Sequence, residues 1–386
     1  MINRFLEVSN VINEKHKLIQ MSARKFAETE IGPRVEWMEE EQIVPREIFK
    51  KAGELGFIGS YIPTEYGGGG GDFFTEAIIK EEITKVNAGV GASITLNSLI
   101  YGNPVFCYGT EEQKQKYLIP VLKGEKCASW ALTEPDSGSD ALSIRTSSLK
   151  LGSHYIINGS KTFITNAPIA DFIVVNTRTY GSGIEGGTAF ILERNTPGLS
   201  FGKKINKVGL RSSPTGELFF ENVKVDESHI LGEVGRGFIN MFESLNIERI
   251  IMAISSVGIA QACLEASKKY STEREQFGKK ISNFQLIKSK IAEMETNIEI
   301  SRSYTYQVLW MIQNRANPTR EASIAKLFAS QMAQKCSLYA FQIHGGYGVT
   351  KKYPVERYLM DSIYLTIGGG TSEIQKLIIA REVFKQ

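Results

Sequence analysis

Cysteine is scarce in this sequence and is not arranged for bonding. The four cysteines among 386 residues are Cys107, Cys127, Cys263 and Cys336, and no two of them form a CxxC pair. A disulfide framework or a zinc knot needs regularly spaced cysteines, so the pattern argues against both and for a reducing compartment. We expect all four to be core residues.

Histidine is equally rare, and this limits the metal chemistry that the chain could support. His16, His154 and His229 are isolated in the sequence, and only His344 lies inside a motif. Protein metal sites are built from clusters of His, Cys, Asp and Glu, so we predict no metal site. His344 is expected to pack or to bond the backbone.

An excess of one charge is also missing. Forty-five Lys and Arg face forty-two Asp and Glu, which gives a net charge of +3 with the signs interspersed. No block of like charge indicates a tail that binds nucleic acid, so no nucleic-acid partner is expected.

Export and membrane signals are absent as well. The start, MINRFLEVSNVINEKHK, lacks the apolar region of a secretory signal, and the final FKQ is no obvious address. The longest uncharged run, residues 86–110, holds too many Asn, Ser and Thr residues for a membrane span. We expect a buried helix and a loop there. The protein is predicted to be cytoplasmic, or to lie in an organellar matrix after loss of a transit peptide.

Length and composition predict two or three domains. A chain of 386 residues that is 42% apolar can bury a large core, but it is too long for one compact pair of layers. Residues 1–125 have helical periodicity, with Leu18, Phe26 and Ile31 near one face of the first helix. Five glycines at residues 67–71 lack the GK[ST] ending of a phosphate-binding loop and are predicted to form a flexible turn between helices.

The periodicity changes twice after residue 125. The runs HYIINGSKTFITN, DFIVVNTRT, GTAFILERN and GELFFENVKV are rich in Ile, Val, Phe, Tyr and Thr, and they predict antiparallel strands within residues 126–235. Helical periods return over residues 236–386, with a last helix at residues 372–384. The predicted fold is α+β and multidomain: a helical N-terminal domain, a middle antiparallel β domain and a C-terminal bundle of four or more helices.

Five local motifs carry a family resemblance. They are TEPDSGSDA at residues 133–141, FITNAPIAD at 163–171, EREQFGK at 273–279, QIHGGYG at 342–348 and GGTSEIQKLIIARE at 369–382. In order and spacing they resemble the acyl-CoA dehydrogenase family over essentially the whole chain. The resemblance implies non-covalently bound FAD, oxidation of the Cα–Cβ bond of an acyl thioester, electron transfer to an electron-transferring flavoprotein, and a homotetramer built as a dimer of dimers.

The first two motifs suit the edge of a flavin. Small residues in TEPDSGSDA let the backbone approach a flat ring, while hydroxyl and N–H groups supply hydrogen bonds. By resemblance Trp130, Leu132 and Thr133 line the flavin, and Ser139 touches the thioester or the pantetheine arm. In FITNA, by the same resemblance, Phe163 lies against the flavin and Thr165 bonds near N5; alternatively Phe163 is an ordinary inward-facing strand residue.

The later motifs are predicted to bind the rest of the cofactor. Arg274 offers a planar fork to a pyrophosphate, and Phe277 offers a face to adenine. By resemblance the residues that reach the FAD of a neighbouring subunit are Arg274, Phe277, Gln285, Gln342, Gly345 and Gly346. Thr371 and Glu373 also serve the cofactor by resemblance.

The usual catalytic base is missing from the last motif. Most family members carry a glutamate immediately before Gly-Thr, where this sequence has Gly369. A minority, including isovaleryl-CoA and long-chain acyl-CoA dehydrogenases, carry it on an earlier helix before an arginine, and here that place reads SLNIERIIMA. We therefore predict that Glu248 removes the substrate α-proton and that Arg249 helps to position the CoA portion of the substrate or the nearby helix.

Two further residue observations bear on this prediction. If the segment is helical, Glu248 has the apolar neighbours Leu245, Ile251 and Met252, whose burial of the carboxyl would raise its pKa. Glu243 is the spare candidate, but its neighbours are more polar and it misses the family position.

The substrate stays open between several classes. The position of the base favours a short or branched acyl-CoA such as isovaleryl-CoA, although long-chain members share it. A close alternative is oxidation of an acyl or aminoacyl group, such as prolyl, on a carrier protein. More distant alternatives are a flavin monooxygenase or nitroalkane oxidase and a non-catalytic relative that serves as a scaffold.

Overall fold

The computed structural model describes residues 12–385, so the predictions made on the first eleven residues and on Gln386 lie outside the described residues. Helical segments fill the N-terminal part. The α-helices are α1 Glu14–Phe26, α2 Val35–Glu41, α3 Arg46–Glu54, α4 Phe73–Val86, α5 Ala88–Thr95, α6 Gly102–Tyr108, α7 Glu111–Gln113 and α8 Ile119–Leu122. A π-helical segment, Leu96–Tyr101, joins α5 to α6.

Local sequence explains where these helices begin. The Asn13 side chain caps α1 by accepting from the N–H of His16, and Asp72 caps α4 by accepting from the N–H of Thr75. Phe26 of α1 is buried as predicted. Leu18 is 67% exposed, so the buried face of this helix is narrower than the predicted apolar face. Helix α4 is buried along almost its whole length and forms the centre of this part of the molecule.

The five-glycine turn is packed rather than flexible. A Cβ on Gly68 would lie 2.2 Å from the carbonyl oxygen of Ile62, and one on Gly69 would lie 2.6 Å from that of Gly56. The prediction of a turn between helices is right in position. The prediction that this turn is flexible was wrong, because the glycines are needed here for close backbone contact.

The middle part is a seven-stranded sheet. Its strands are β1 Ala128–Ala131, β2 Ser147–Leu151, β3 His154–Thr165, β4 Phe172–Arg178, β5 Gly187–Glu193, β6 Leu199–Phe201 and β7 Thr215–Asp226. They are ordered β1-β4-β2-β3-β7-β6, with β5 paired to β4. The sheet is mixed rather than purely antiparallel, because β1 and β2 both pair with β4 in parallel.

The C-terminal part is a helical bundle. Its helices are α9 Gly237–Glu273, α10 Gln285–Gln313, α11 Thr319–His344, α12 Val355–Tyr364 and α13 Ser372–Phe384. A small hairpin, β8 Glu275–Gln276 with β9 Lys279–Lys280, follows α9. Helix α9 is the one described helix long and apolar enough to cross a membrane, but 78% of its apolar window is buried inside the protein, as in a core helix.

The cysteines are not all in the core. Cys127, Cys263 and Cys336 are buried, whereas Cys107 is exposed, and all four are free thiols. The expectation was wrong for Cys107, which lies on α6 where that helix reaches the surface. The uncharged run that contains it is otherwise largely buried helix, as expected.

Polar contacts join the sheet to the N-terminal helices, and apolar packing joins those helices to the first half of α9. The N–H of Ala128 in β1 donates to Oδ1 of Asn97 in the π-helical segment at 3.0 Å. At the end of β3, Nδ2 of Asn166 donates to the carbonyl oxygen of Ser93 in α5 at 3.1 Å. Leu99 packs with Ile250 and its neighbours on α9. The junction of sheet, N-terminal helices and bundle therefore lies beside residue 248.

Candidate active site

Glu248 lies in the first half of α9 with a partly covered side chain. Within residues 12–385 its carboxylate takes part in none of the hydrogen bonds or ion pairs, although Arg249 is adjacent in sequence. Burial raises the pKa of Glu248, and the positive charges of Arg249 and Lys326 oppose that rise. This is a carboxylate without a structural partner whose proton affinity has been increased, which suits a base.

Gly369 lies directly beside that carboxylate. A Cβ built on Gly369 would be 3.7 Å from Oε1 of Glu248 and 3.0 Å from Cγ of Met252. The φ angle of Gly369 is +66°, in the left-handed region that favours glycine. A carboxylate on residue 369 and one on residue 248 would therefore open into the same space.

The loop that carries Gly369 is held by buried side chains. Nζ of Lys326 donates to the carbonyl oxygen of Gly370 at 2.7 Å. Nε2 of Gln375 donates to the carbonyl oxygens of Gly369 at 3.2 Å and Gly370 at 3.0 Å. The loop next to Glu248 is therefore fixed from α11 and from α13. The sequence predictions named neither Lys326 nor Gln375.

The other two residues predicted near the base have different environments. Arg249 is buried, and its Nη1 donates to Oδ1 of Asn246 on the same helix at 2.6 Å, while its Nε has no hydrogen-bond partner. Glu243 is exposed, and its Oε2 accepts from the hydroxyl of Tyr108 at 2.7 Å. Glu243 is thus engaged at the surface, away from the covered position of Glu248.

A buried ion pair holds the loop that follows β1. Nζ of Lys161 in β3 donates to Oε1 of Glu134 at 2.8 Å and to the carbonyl oxygen of Leu132 at 2.9 Å. The same carboxylate accepts from the N–H groups of Arg145 at 2.6 Å and Thr146 at 2.9 Å. Burial lowers the pKa of Lys161 to about 8, and Glu134 opposes that fall. Neither member of the pair was among the predicted site residues.

The rest of this loop is packed at its start and open to solvent at its end. Trp130 and Leu132 pack against Phe238 and Met241 at the start of α9. Thr133 is half-buried, and its carbonyl oxygen accepts from the N–H of Thr162 at 2.9 Å. Beyond it Ser139 is exposed, and a Cβ on its neighbour Gly138 would meet no atom within 4 Å. The predicted residues thus form one wall, anchored at Trp130 and open at Ser139.

Phe163 is not an inward-facing strand residue. Its side chain is 64% exposed and its φ angle is +57°, at an irregularity in the pairing of β3 with β7 between Lys161 and Ile164. An aromatic residue with positive φ is an outlier of the kind that clusters at ligand sites. Thr165, two residues on, is half-buried at the end of the strand.

A second site lies at the far end of α9. A cleft of about 500 Å³ is lined by residues that include Arg274, Tyr270, His344, Gly345 and Gly346. As predicted, His344 packs and bonds the backbone: its ring stacks on Tyr270 with centroids 4.3 Å apart, and Nδ1 contacts the carbonyl oxygen of Ala340 at 2.8 Å. Its Nε2 is buried and has no hydrogen-bond partner. Gln285 and Gln342 are exposed but do not line the cleft.

Phe277 is presented to solvent by the β8–β9 hairpin. Phe277 and Gly278 form its two-residue turn with φ angles of +54° and +74°, which is the conformation of a type I′ turn. The Phe277 side chain is 93% exposed, and its ring makes an edge-to-face contact with Phe284, with centroids 6.1 Å apart.

The two sites are far apart on one chain. Trp130 packs at Met241, and Arg274 lies 33 residues further along, immediately after the last residue of α9. At 1.5 Å per residue this is about 50 Å. Arg274 and Phe277 therefore cannot act on a molecule that the same chain binds against Trp130.

One of the two cofactor residues predicted at the start of α13 has a structural role. The hydroxyl of Thr371 caps the helix by accepting from the N–H of Ile374 at 3.3 Å. Glu373 lies in the first turn and is exposed. Thr371 thus has a structural task, and the carboxylate of Glu373 is free to face a partner.

Models of one family match all three parts of the chain. They are the acyl-CoA dehydrogenase N-terminal domain at residues 13–125, middle domain at 129–223 and C-terminal domain at 235–384. Caffeyl-CoA reductase-Etf complex subunit CarC of Acetobacterium woodii is 39% identical, over 97% of this chain and 99% of the relative. The mitochondrial isovaleryl-CoA dehydrogenase of Solanum tuberosum is 37% identical, over 98% and 92%.

The fold agrees with that of a solved relative. The structure of butyryl-CoA dehydrogenase from Megasphaera elsdenii superposes with a TM-score of 0.94 at 37% identity, over 97% of this chain and 99% of that one. The predicted three-part architecture is thereby confirmed. The chain belongs to the acyl-CoA dehydrogenase family of oxidoreductases.

Proposed function

We propose that this enzyme is an FAD-dependent dehydrogenase that converts an acyl-CoA into the trans-2-enoyl-CoA, with Glu248 as the base. The observation that carries the proposal is the position of Glu248, whose unpartnered carboxylate lies beside the glycine where most family members carry their base.

The residues present fit an FAD. The wall from Trp130 to Ser139 is open, Phe163 is exposed with a strained backbone, and the cleft at Arg274 combines a cation with glycines at residues 345 and 346. We assign Trp130, Leu132, Thr133, Ser139, Phe163 and Thr165 to the flavin end. The distal end falls to Arg274, Phe277, Gln285, Gln342, Gly345 and Gly346. Thr371 and Glu373, which follow the glycine loop beside Glu248, are also assigned to the cofactor. When bound, FAD supplies a hydride acceptor at N5 for the substrate β-hydrogen.

Glu248 removes the α-proton in this scheme. A base works best when its pKa lies near the working pH, and burial raises the pKa of Glu248 above that of an ordinary glutamate. The carboxylate must be ionised to accept the proton, so the rate falls as the pH falls through this raised pKa. Ser139 and the buried Arg249 are assigned to the substrate, Ser139 by contact and Arg249 by holding the helix.

The cofactor site is completed by a second copy of the chain. Because Arg274 is about 50 Å along α9 from the residues at Trp130, the distal FAD residues of one chain serve the flavin of another. Among residues 12–385, more than half of the exposed large apolar side chains lie between residues 277 and 384. Among them are Phe277, Leu286, Ile300, Trp310, Leu338, Leu377 and Phe384. This surface supports assembly through the bundle, and we propose a homotetramer built as a dimer of dimers.

Short or branched acyl groups suit the site best. Gly369 has no side chain to occupy the space beside Glu248, which leaves room for a branch on the acyl group. Electrons would pass to an electron-transferring flavoprotein, as the name of the Acetobacterium relative implies for that protein. That relative is named a reductase, and by microscopic reversibility the same Glu248 would return a proton to the α-carbon if the reaction ran backwards.

Anaerobic titration of the flavin tests the substrate. Isovaleryl-CoA and butyryl-CoA are expected to bleach the flavin absorbance, and a long-chain acyl-CoA to bleach it more slowly. A response only to a prolyl-carrier protein would favour the carrier-bound alternative. Rapid oxygen consumption after reduction would indicate a monooxygenase, and a colourless protein that resists FAD reconstitution would indicate a scaffold.

Moving the base should restore part of the activity. In the variant Glu248→Gly with Gly369→Glu, the new carboxylate starts from a Cβ that lies 3.7 Å from the old Oε1 position, so it faces the same α-carbon. Recovery should be partial, since φ at residue 369 is +66° and Met252 crowds the new side chain. The control is Glu248→Gly alone, measured by the rate of flavin reduction. A double variant no faster than this control would contradict a shared space.

A further inference from the structure

Lys326 is a fully buried cation that the proposed reaction does not use. Its side chain is 0% exposed, in the third turn of α11. Lysine is almost never buried without a partner, and burial lowers the pKa of Lys326 to about 8 while the Glu248 and Glu373 charges oppose that fall. The hydrogen bond of Nζ to the carbonyl oxygen of Gly370 satisfies only one of its three donors.

The glycine loop ties this cation to the base. Gly370 has a φ of +87°, and a Cβ on it would lie 2.8 Å from Nε2 of Gln375. The glycine therefore lets the loop approach its two buried donors, Lys326 and Gln375. Gly369 in the same loop approaches Oε1 of Glu248. Lys326 thus holds the backbone that borders the carboxylate, and its charge acts on that carboxylate.

The groups that face Glu248 come from three helices. Arg249 is on its own helix, Lys326 comes from α11, and Tyr364 comes from α12. Burial, with help from Glu248, raises the pKa of Tyr364 to about 12, so this phenol is neutral near neutral pH. Glu373 of α13 faces Lys326. The cations that favour ionised Glu248 are Arg249 and Lys326, and only Lys326 also binds the loop.

We propose that Lys326 is a positioning residue for Glu248: its ammonium fixes the glycine loop at residues 368–370 beside the carboxylate and keeps that carboxylate ionised in a buried place. The inference rests on the proposed function, because it gives Lys326 a task only if Glu248 is the base. Lys326 itself touches neither substrate nor cofactor in this scheme.

The test is the pH dependence of flavin reduction by acyl-CoA in the assembled FAD-loaded enzyme, in Lys326→Met and in a matched control. Gln375→Leu is the control, because it removes hydrogen bonds to the same loop without changing charge. For Lys326→Met the acid limb of the profile should move to higher pH. In that variant only the charge of Arg249 opposes the rise in the pKa of Glu248 that burial causes. At the midpoint of the wild-type limb its rate should be about tenfold lower.

The control separates charge from loop geometry. Gln375→Leu should lower the rate by the same factor at every pH and leave the limb in place. Lys326→Arg keeps the charge and should return the limb towards the wild-type position. An unmoved limb in Lys326→Met, or an equal displacement in Gln375→Leu, would overturn the proposal.

Two further variants make the outcome decisive. If Lys326→Met fails to fold, the Lys326→Met/Glu248→Gln double variant should fold, because it buries no unpaired charge; failure of both would show that Lys326 serves only the fold. Glu248→Gln is measured alongside. Wild-type reduction by Glu248→Gln would end the base assignment, whereas its loss together with an unmoved limb in Lys326→Met would end only the inference about Lys326.

Discussion

Replacing Glu248 with glutamine should slow flavin reduction by acyl-CoA about a thousandfold, the middle of the range for loss of a general base. Glutamine keeps the size of the side chain but cannot accept the α-proton. Because the carboxylate of Glu248 makes no hydrogen bond or ion pair within residues 12–385, the fold should lose nothing by the change. FAD content and thioester binding should match the wild type. Rapid-mixing absorbance measurements at the flavin band would give the rate.

Glu243→Gln is the matched control for this prediction. It changes an acid on the same helix that is exposed and bonded to Tyr108, and its reduction rate should stay at the wild-type level. The wild-type rate should fall on acidification through the raised pKa of Glu248, and the Glu248→Gln variant should lack that limb. Near-wild-type bleaching by Glu248→Gln would refute the assignment.

Lys161→Met should cost about 3 kcal/mol of unfolding free energy, the usual penalty for breaking a buried ion pair by removing one partner. The Glu134 carboxylate would keep two backbone N–H donors but lose its buried cation, and the carbonyl oxygen of Leu132 would lose its donor. Because this loop is assigned to the flavin, FAD affinity should fall as well. Chemical denaturation and FAD titration would measure the two effects.

Two control variants test whether the loss of stability comes from breaking a buried ion pair. Lys150→Met breaks the exposed pair of Lys150 with Glu227 in the same sheet and should leave stability and FAD affinity unchanged. The Lys161→Met/Glu134→Gln double variant removes both buried charges and should regain part of the lost stability. Equal destabilisation in Lys150→Met and Lys161→Met would show that burial of the Lys161 pair is not what stabilises the loop.

Much of the fold could be read from local pattern. The last helix was predicted at residues 372–384, which are its observed bounds, and the four long strands were all recognised. Strands β1, β2 and β6 were missed because they have only four, five and three residues, too few to show a clear period. The parallel pairing with β4 was missed because it depends on chain segments that are distant in sequence.

The site residues also fall into those that local motifs indicate and those that depend on contacts distant in sequence. The motifs indicated Glu248, but they could not show that a Cβ on residue 369 would approach its carboxylate. Lys161 and Lys326 were missed because their partners are 27 and 44 residues away in sequence. A signal for Lys326 was present: its helical neighbours Ala322, Ala329 and Ser330 are small and are all buried, a pattern that places a lysine inside the bundle.

The turn that exposes Phe277 has a consequence for how the enzyme behaves in dilute solution. If each flavin is held between two chains, cofactor affinity and subunit association are linked by mass action. Dilution then releases FAD, and added FAD strengthens assembly. Specific activity would depend on enzyme concentration, although no group that touches the substrate has changed.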